Sequence, residues 1–204
     1  MGSRVQQMMR KFRYGEPIVV VSGLPRSGTS MAMRMLEAGG MQLAIDGIRQ
    51  ADEDNPRGYF EHERVKDLDK EGDKDWLKQE RGRAIKIISF LLPHLPATNN
   101  YRVIFMQRDL REVLASQSKM LVNRGEDSGA EDEQMSSEYE QHLERVAFLL
   151  RYRPQFEVLE VKHREVIESP LEQARRMAAF VGHGLDADKM AAAVEQQLYR
   201  NRAS

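Results

Sequence analysis

The sequence predicts one α/β domain built in three layers, with helices covering both faces of a central parallel sheet. Three observations carry that prediction. The short apolar, β-branched run I-V-V-V at 18–21 has the look of a strand buried on both sides. Segments of good helix formers alternate with strands, which is the pattern of parallel strands joined by crossovers. The chain has 204 residues, 41% apolar and 31% charged, enough for one real core, and contains neither an internal repeat nor a linker that would divide it.

Taken in order, residues 1–16 form a polar extension with Arg4, Arg10, Lys11 and Arg13. A short helix is one reading of this segment; a frayed terminus is the ordinary role for it, and a membrane-surface arm the alternative. Ile18 to Val21 is the first strand, and Ser22 to Ser30 has the Gly, Ser, Thr and Pro content of a tight loop. Met31 to Ala38 is helical and stops at Gly39-Gly40. Met41 to Ile45 reads as a second strand and residues 46–57 as a loop, since Pro56 disfavours helix before it. In Gly58-Tyr59-Phe60-Glu61, two adjacent aromatics either pin that loop to the core or line a pocket. Glu63 to Arg81 has a helical composition with a solvated charged face, and Asp73 suits a cap for a segment around Trp76 and Leu77.

Ala84 to Ser89 is a third strand, after which Leu91 to Pro96 turns away. Arg102 to Gln107 is the fourth strand and Leu110 to Asn123 the helix after it. Residues 124–136 are acidic and glycine-containing, a flexible loop or a lid. Ser137 to Tyr152 is amphipathic, with Tyr139, Leu143, Val146, Leu149 and Leu150 at core spacing. Phe156 to Val161 is the fifth strand, and Arg164 to Ser169, Leu171 to Val181 and Asp186 to Gln197 complete the helices. Pro170 suits a first helical position behind a Ser169 cap.

Strand, glycine-rich loop and helix at 18–38 make a phosphate cradle, in which backbone N–H groups and the helix dipole converge on one anion. Gly23 and Gly28 have the separation of a nucleotide-binding G-x-x-x-x-G-K-[ST] loop, and Ser30 sits at its hydroxyl position. The lysine position, however, is Thr29, and the loop's basic residue is Arg26. Without that lysine the β- and γ-phosphates of ATP lose their main clamp. In a parallel sheet the loop, Ser89 and Arg108 all follow carboxyl ends of strands, so they are able to meet around one ligand.

The loop L-P-R-S-G-T-S resembles the 5′-phosphosulfate loop of sulfotransferases that use 3′-phosphoadenosine 5′-phosphosulfate (PAPS). Y-R-V-I-F-M-Q-R-D-L-R-E-V-L-A-S-Q at 101–117 is similar to the family's 3′-phosphate segment, where a strand-ending arginine precedes a helical serine by eight residues; Arg108 and Ser116 stand in that relation. Residues 160–182 resemble its closing strand, acidic turn, proline and helix, ending in A-F-V-G. The closest likeness is to bacterial sulfotransferase-like proteins. The resemblance implies a P-loop-like phosphosulfate site formed by Pro25, Arg26, Ser27, Gly28, Thr29 and Ser30, and a 3′-phosphate site formed by Arg108 and Ser116. Arg200 and Arg202 are candidates to close over the latter, although the family's R-K-G ending is missing.

Lys86 matches the lysine of the family's K-x-H, but Ile88 replaces its histidine. A base must then come from elsewhere. Glu61 is the first candidate, because neighbouring aromatic rings disfavour the charged carboxylate. His62 is second and Glu63 third. Arg26 joins Glu61, Lys86 and His62 as a catalytic candidate, its planar fork matching two sulfonate oxygens.

The expected reaction is in-line sulfuryl transfer from PAPS to a hydroxyl or amine of a small molecule, lipid or glycan. No metal is expected, since arginine, lysine and backbone donors suffice for a sulfuryl group. The alternatives are a P-loop nucleotide kinase or NTPase and a nucleotide-binding protein without activity. With 31 Lys plus Arg against 32 Asp plus Glu, the charge balance argues against a nucleic-acid partner. The absence of cysteine excludes disulfides and thiolate catalysis. No apolar run approaches the ~20 residues that span a bilayer, so stable membrane insertion is not expected and the cytoplasm is the expected location. Oligomeric state stays open.

Overall fold

A computed structural model describes residues 4–46, 60–123 and 132–194. Four strands form one parallel sheet: β1 (Ile18–Gly23), β2 (Ala84–Lys86), β3 (Tyr101–Gln107) and β4 (Phe156–Lys162), in the order β2-β1-β3-β4. Among the described residues, seven α-helices accompany them: α1 (Arg4–Tyr14), α2 (Thr29–Ala38), α3 (Leu110–Asn123), α4 (Asp132–Tyr152), α5 (His163–Glu168), α6 (Pro170–Val181) and α7 (Ala187–Ala192).

All six residues of β1 are buried, and alternation along the strand divides them between two cores. Ile18 and Val20 join Ile85, Val103 and Phe105 beneath Trp76, Leu92, Val146 and Leu149. Val19 and Val21 join Ile104 and Met106 beneath α2, α6 and α7, through Met33, Leu36, Met177 and Met190. The three-layer architecture is therefore observed, and the continuous apolar runs have their cause in this double cover.

Several elements differ from the sequence reading. Residues 41–45 do not form a strand; Leu43 makes one isolated bridge to Ala84. The expected helix over 63–81 is two 3₁₀ segments, Glu63–Asp67 and Asp75–Glu80. Gly72, at φ +144°, separates them, and Val65 and Leu68 are both buried at the spacing of three that a 3₁₀ turn eclipses. Asp73 does bond the Asp75 N–H at 2.8 Å. The third strand ends at Lys86 rather than Ser89. Ile87 N–H still reaches Val21 O at 3.0 Å, but β1 then turns into its loop, and Ser89–His94 continues as a 3₁₀ segment. Helix α4 begins at Asp132, so residues 132–136 of the expected acidic loop are helical, while 124–131 lie outside the described residues. Pro170 opens α6 as expected, but the Ser169 side chain makes no capping hydrogen bond.

The order of connections matters for the site. The chain leaves β1 toward β2 on one side, then crosses to β3 on the other and continues to β4. The crevice between the carboxyl ends of β1 and β3 is thus the topological switch point, where open α/β sheets bind ligands.

Candidate active site

The loop after β1 occupies that crevice. Gly23 has φ +153°, and a Cβ there would lie 2.4 Å from Ser27 Oγ and 2.6 Å from Met106 O, so only glycine lets the loop fold back on itself beside β3. Gly28 has φ +100°, and a Cβ there would meet His163 Cδ2 at 2.5 Å. Between them Ser27 N–H donates to Leu24 O at 3.2 Å. Arg26 takes φ +67°, a left-handed conformation that costs a non-glycine residue about 1 kcal/mol or more and is retained where the surroundings impose it. Helix α2 starts at Thr29, directly behind the loop, with its first-turn N–H groups at the helix mouth.

Three sequence-predicted residues converge here. Arg26 Nε donates to Ser116 Oγ at 3.0 Å. Arg108 Nη1 donates to Arg26 O at 3.1 Å, across the switch-point crevice. Arg108 Nε donates to Glu112 Oε2 at 2.9 Å, an ion pair one helical turn apart in which both side chains are more than nine-tenths buried. Asp109 Oδ1 accepts from Arg111 N–H at 2.9 Å and so fixes the start of α3 that presents Ser116. Ser27 Oγ is buried without a hydrogen-bond partner among the described residues.

Lys86, at the end of β2, reaches Glu61 Oε1 at 3.4 Å. The lysine is 9% exposed and the carboxylate 24%, so the pair is screened from bulk solvent without being closed off. Phe60 packs partly buried against the α2-side core with φ +52°, which agrees with the core-pinning reading for this one residue of the aromatic pair. Among the described residues, two of the three non-glycine positions with left-handed backbone, Arg26 and Phe60, therefore sit in or next to candidate catalytic positions.

The other candidates separate from this group. His62 stacks on Trp76, with ring centroids 4.9 Å apart and planes 13° from parallel. Glu63 is exposed and pairs with Lys66 at 2.8 Å. Ser89, expected near the ligand, is fully buried and bonded to His142 Nε2 at 2.8 Å, with Phe90 stacked on the same imidazole at 3.8 Å. It serves the packing of α4, and its place at the ligand is withdrawn. Tyr59, Arg200 and Arg202 lie outside the described residues. No group of three or more metal-ligating side chains occurs among the described residues.

Three neighbours of the site went unread in the sequence: Glu112, His163 and Gln117. Glu112 lies four residues after Arg108, a helical ion-pair spacing that was there to be noticed. His163 directly follows β4, again at a strand's carboxyl end. Gln117 accepts from Tyr139 Oη at 2.9 Å and ties α3 to α4 beside Ser116.

His163 is held neutral. Burial pushes its pKa down to about 4 from 6.5, the Arg108 guanidinium adds to that push, and Glu112 opposes it. The unfolded chain therefore binds a proton between pH 6.5 and about 4 that the folded chain refuses. Stability from this group is full above pH 6.5 and is lost as pH falls toward 4, by on the order of 3 kcal/mol. Burial lowers His142 in the same direction. Urea titrations at pH 7.5 and pH 5 measure the loss, and His163→Asn flattens the difference. An unchanged pH slope in that variant refutes the assignment.

The family follows from comparison with known proteins. The model of the sulfotransferase domain matches residues 16–202, and the chain belongs to that family. Its chemistry is sulfuryl transfer, and the protein is a transferase of that kind. Among solved structures, a sulfotransferase domain from the curacin biosynthetic pathway is similar at 14% identity, over 90% of this chain and 89% of that one, with a TM-score of 0.48. No curated protein sequence matches. No helix among the described residues is long and apolar enough to cross a membrane.

Proposed function

We propose that the chain transfers a sulfuryl group from PAPS to an acceptor hydroxyl or amine. The observation that carries this reading is the junction of Arg26, Arg108 and Ser116 across the crevice between β1 and β3. Two cations and a hydroxyl there suit a nucleotide with phosphate on both sides of its ribose. The buried Ser27 hydroxyl, without a hydrogen-bond partner among the described residues, and the loop that only glycine can close fit an anion in the same cradle. Residues 25–30 would hold the 5′-phosphosulfate, and Arg108 with Ser116 the 3′-phosphate.

When bound, the donor supplies an electrophilic sulfur whose bond to the 5′-phosphate oxygen breaks as the acceptor oxygen or nitrogen bonds to it. Glu61 takes the acceptor's proton. Lys86 stands beside it as the cation for charge growing on the departing oxygen, and Arg26 neutralises the sulfonate. The Lys86–Glu61 contact holds both groups ready in a part-buried site, where electrostatic interactions are stronger than in bulk water. Adenosine 3′,5′-bisphosphate leaves.

Calorimetric titration with adenosine 3′,5′-bisphosphate, without and with magnesium and against ATP, tests the donor assignment. Metal-independent binding is expected, weakened by Arg108→Ala about 10- to 100-fold, the worth of a charge-assisted hydrogen-bond pair. Magnesium-dependent ATP binding with indifference to the bisphosphate would move the chain to the kinases. Binding without turnover on a broad acceptor panel would leave a nucleotide-binding protein.

A further inference from the structure

Helix α1 has an outward face that the sulfuryl-transfer reading does not use. Met8, Met9 and Phe12 are 73%, 68% and 95% exposed. At ~100° per residue they fall within one arc of about 100°. Lys11 and Arg13, both exposed, flank that arc on either side. Arg10 lies opposite and fastens the helix to the protein. It donates to Asn100 Oδ1 at 2.7 Å, to Gln155 O at 2.8 Å and to Pro154 O, and pairs with Glu157 at 3.6 Å. The helix is therefore held by its polar side with its apolar ridge turned to solvent, the reverse of a helix that covers a core.

We propose that α1 is a peripheral lipid-binding helix that adsorbs to an anionic bilayer surface through Met8, Met9 and Phe12, with Lys11 and Arg13 at the headgroups. The charge pattern selects this occupant. Residues 8–14 carry three cations and no acid, although the whole chain has a net charge of −1. Two copies packed through this face would bring like charges together, whereas an anionic surface neutralises them. Lys11 is paired with Glu16, but across an exposed contact that contributes little and exchanges readily. Two flanking cations around three apolar side chains give reversible adsorption rather than insertion.

The attachment also sets an orientation. Asn100 and Gln155 immediately precede β3 and β4, so α1 lies at the amino edge of the sheet. The candidate site lies at the carboxyl edge. Adsorption through α1 leaves that site facing the aqueous phase. This inference does not depend on the donor assignment.

Co-sedimentation of the full chain with vesicles tests it. Binding is expected to equimolar phosphatidylglycerol/phosphatidylcholine vesicles and to fall at least ~5-fold on phosphatidylcholine alone or at ~0.5 M salt. Phe12→Asp with Met8→Asp lowers the partition coefficient at least ~10-fold, with the thermal midpoint unchanged because both side chains are exposed. Phe148→Asp, at an apolar residue of α4 that is 66% exposed, leaves binding intact. Equal binding to both vesicle types, or equal loss in the Phe148 variant, overturns the assignment to α1. So does a dimer in light scattering that Phe12→Asp returns to monomer, which gives the face to a second copy.

Discussion

Glu61→Gln lowers kcat by about 10²- to 10⁴-fold while affinity for adenosine 3′,5′-bisphosphate stays within about twofold. The glutamine keeps the shape and one acceptor oxygen toward Lys86 but cannot take a proton. The expectation rests on position: among Glu61, His62 and Glu63, Glu61 is the residue seen at the Lys86 ammonium. His62 is committed to the Trp76 ring and Glu63 to an exposed pair with Lys66. Product formation from labelled donor, with His62→Gln and Glu63→Gln alongside, separates the three. A Glu61→Gln enzyme at full rate, with His62→Gln inactive, would transfer the role of base to the imidazole. Lys86→Met is also slow, and the double variant with Glu61→Gln falls short of the product of the two losses, because the pair acts as a unit.

Arg26→Ala costs about 10²- to 10³-fold in kcat/KM, the usual worth of a preorganised donor at developing charge. Arg26→Lys restores part of it, since a lysine supplies the charge but not the planar fork. Arg26 serves three purposes at once: its carbonyl accepts from Arg108, its guanidinium bonds Ser116, and its backbone adopts a left-handed turn. Arg26→Gly discriminates among them, because glycine accepts that backbone freely and keeps the carbonyl, yet removes the cation. Bisphosphate binding retained in Arg26→Gly, with kcat lost, assigns the guanidinium to the sulfuryl group. If Arg26→Ala and Arg26→Gly both turn over at the parent rate, the loop cation has no catalytic role and the cradle works through backbone donors alone.

Much of this was readable along the chain because it is local. The run I-V-V-V, the glycine spacing from Gly23 to Gly28, the arginine in place of the loop lysine, and the interval from Arg108 to Ser116 each follow from neighbouring residues alone. So does the first-turn Pro170. The misread stretches were those where local composition and the fold disagree. Residues 63–81 have helix-forming side chains, yet Gly72 and two apolar positions three apart give 3₁₀ segments instead. Ser89 follows a strand in sequence but opens a 3₁₀ segment and bonds His142 of α4 instead.

By itself the sequence determined the α/β class and the strand, glycine loop and helix at 18–38, and it named the candidate donor residues, since strand burial, loop glycines and helical spacing are written in short-range pattern. Only the tertiary structure decided which residues meet. It placed the strands so that the connections from β1 and β3 diverge, which opens the crevice where Arg26, Arg108 and Ser116 join. It also chose Glu61 over His62 as the neighbour of Lys86, 25 positions away along the chain. That choice depends on how the segment before the first 3₁₀ turn packs over the sheet edge, a long-range contact that no local spacing encodes.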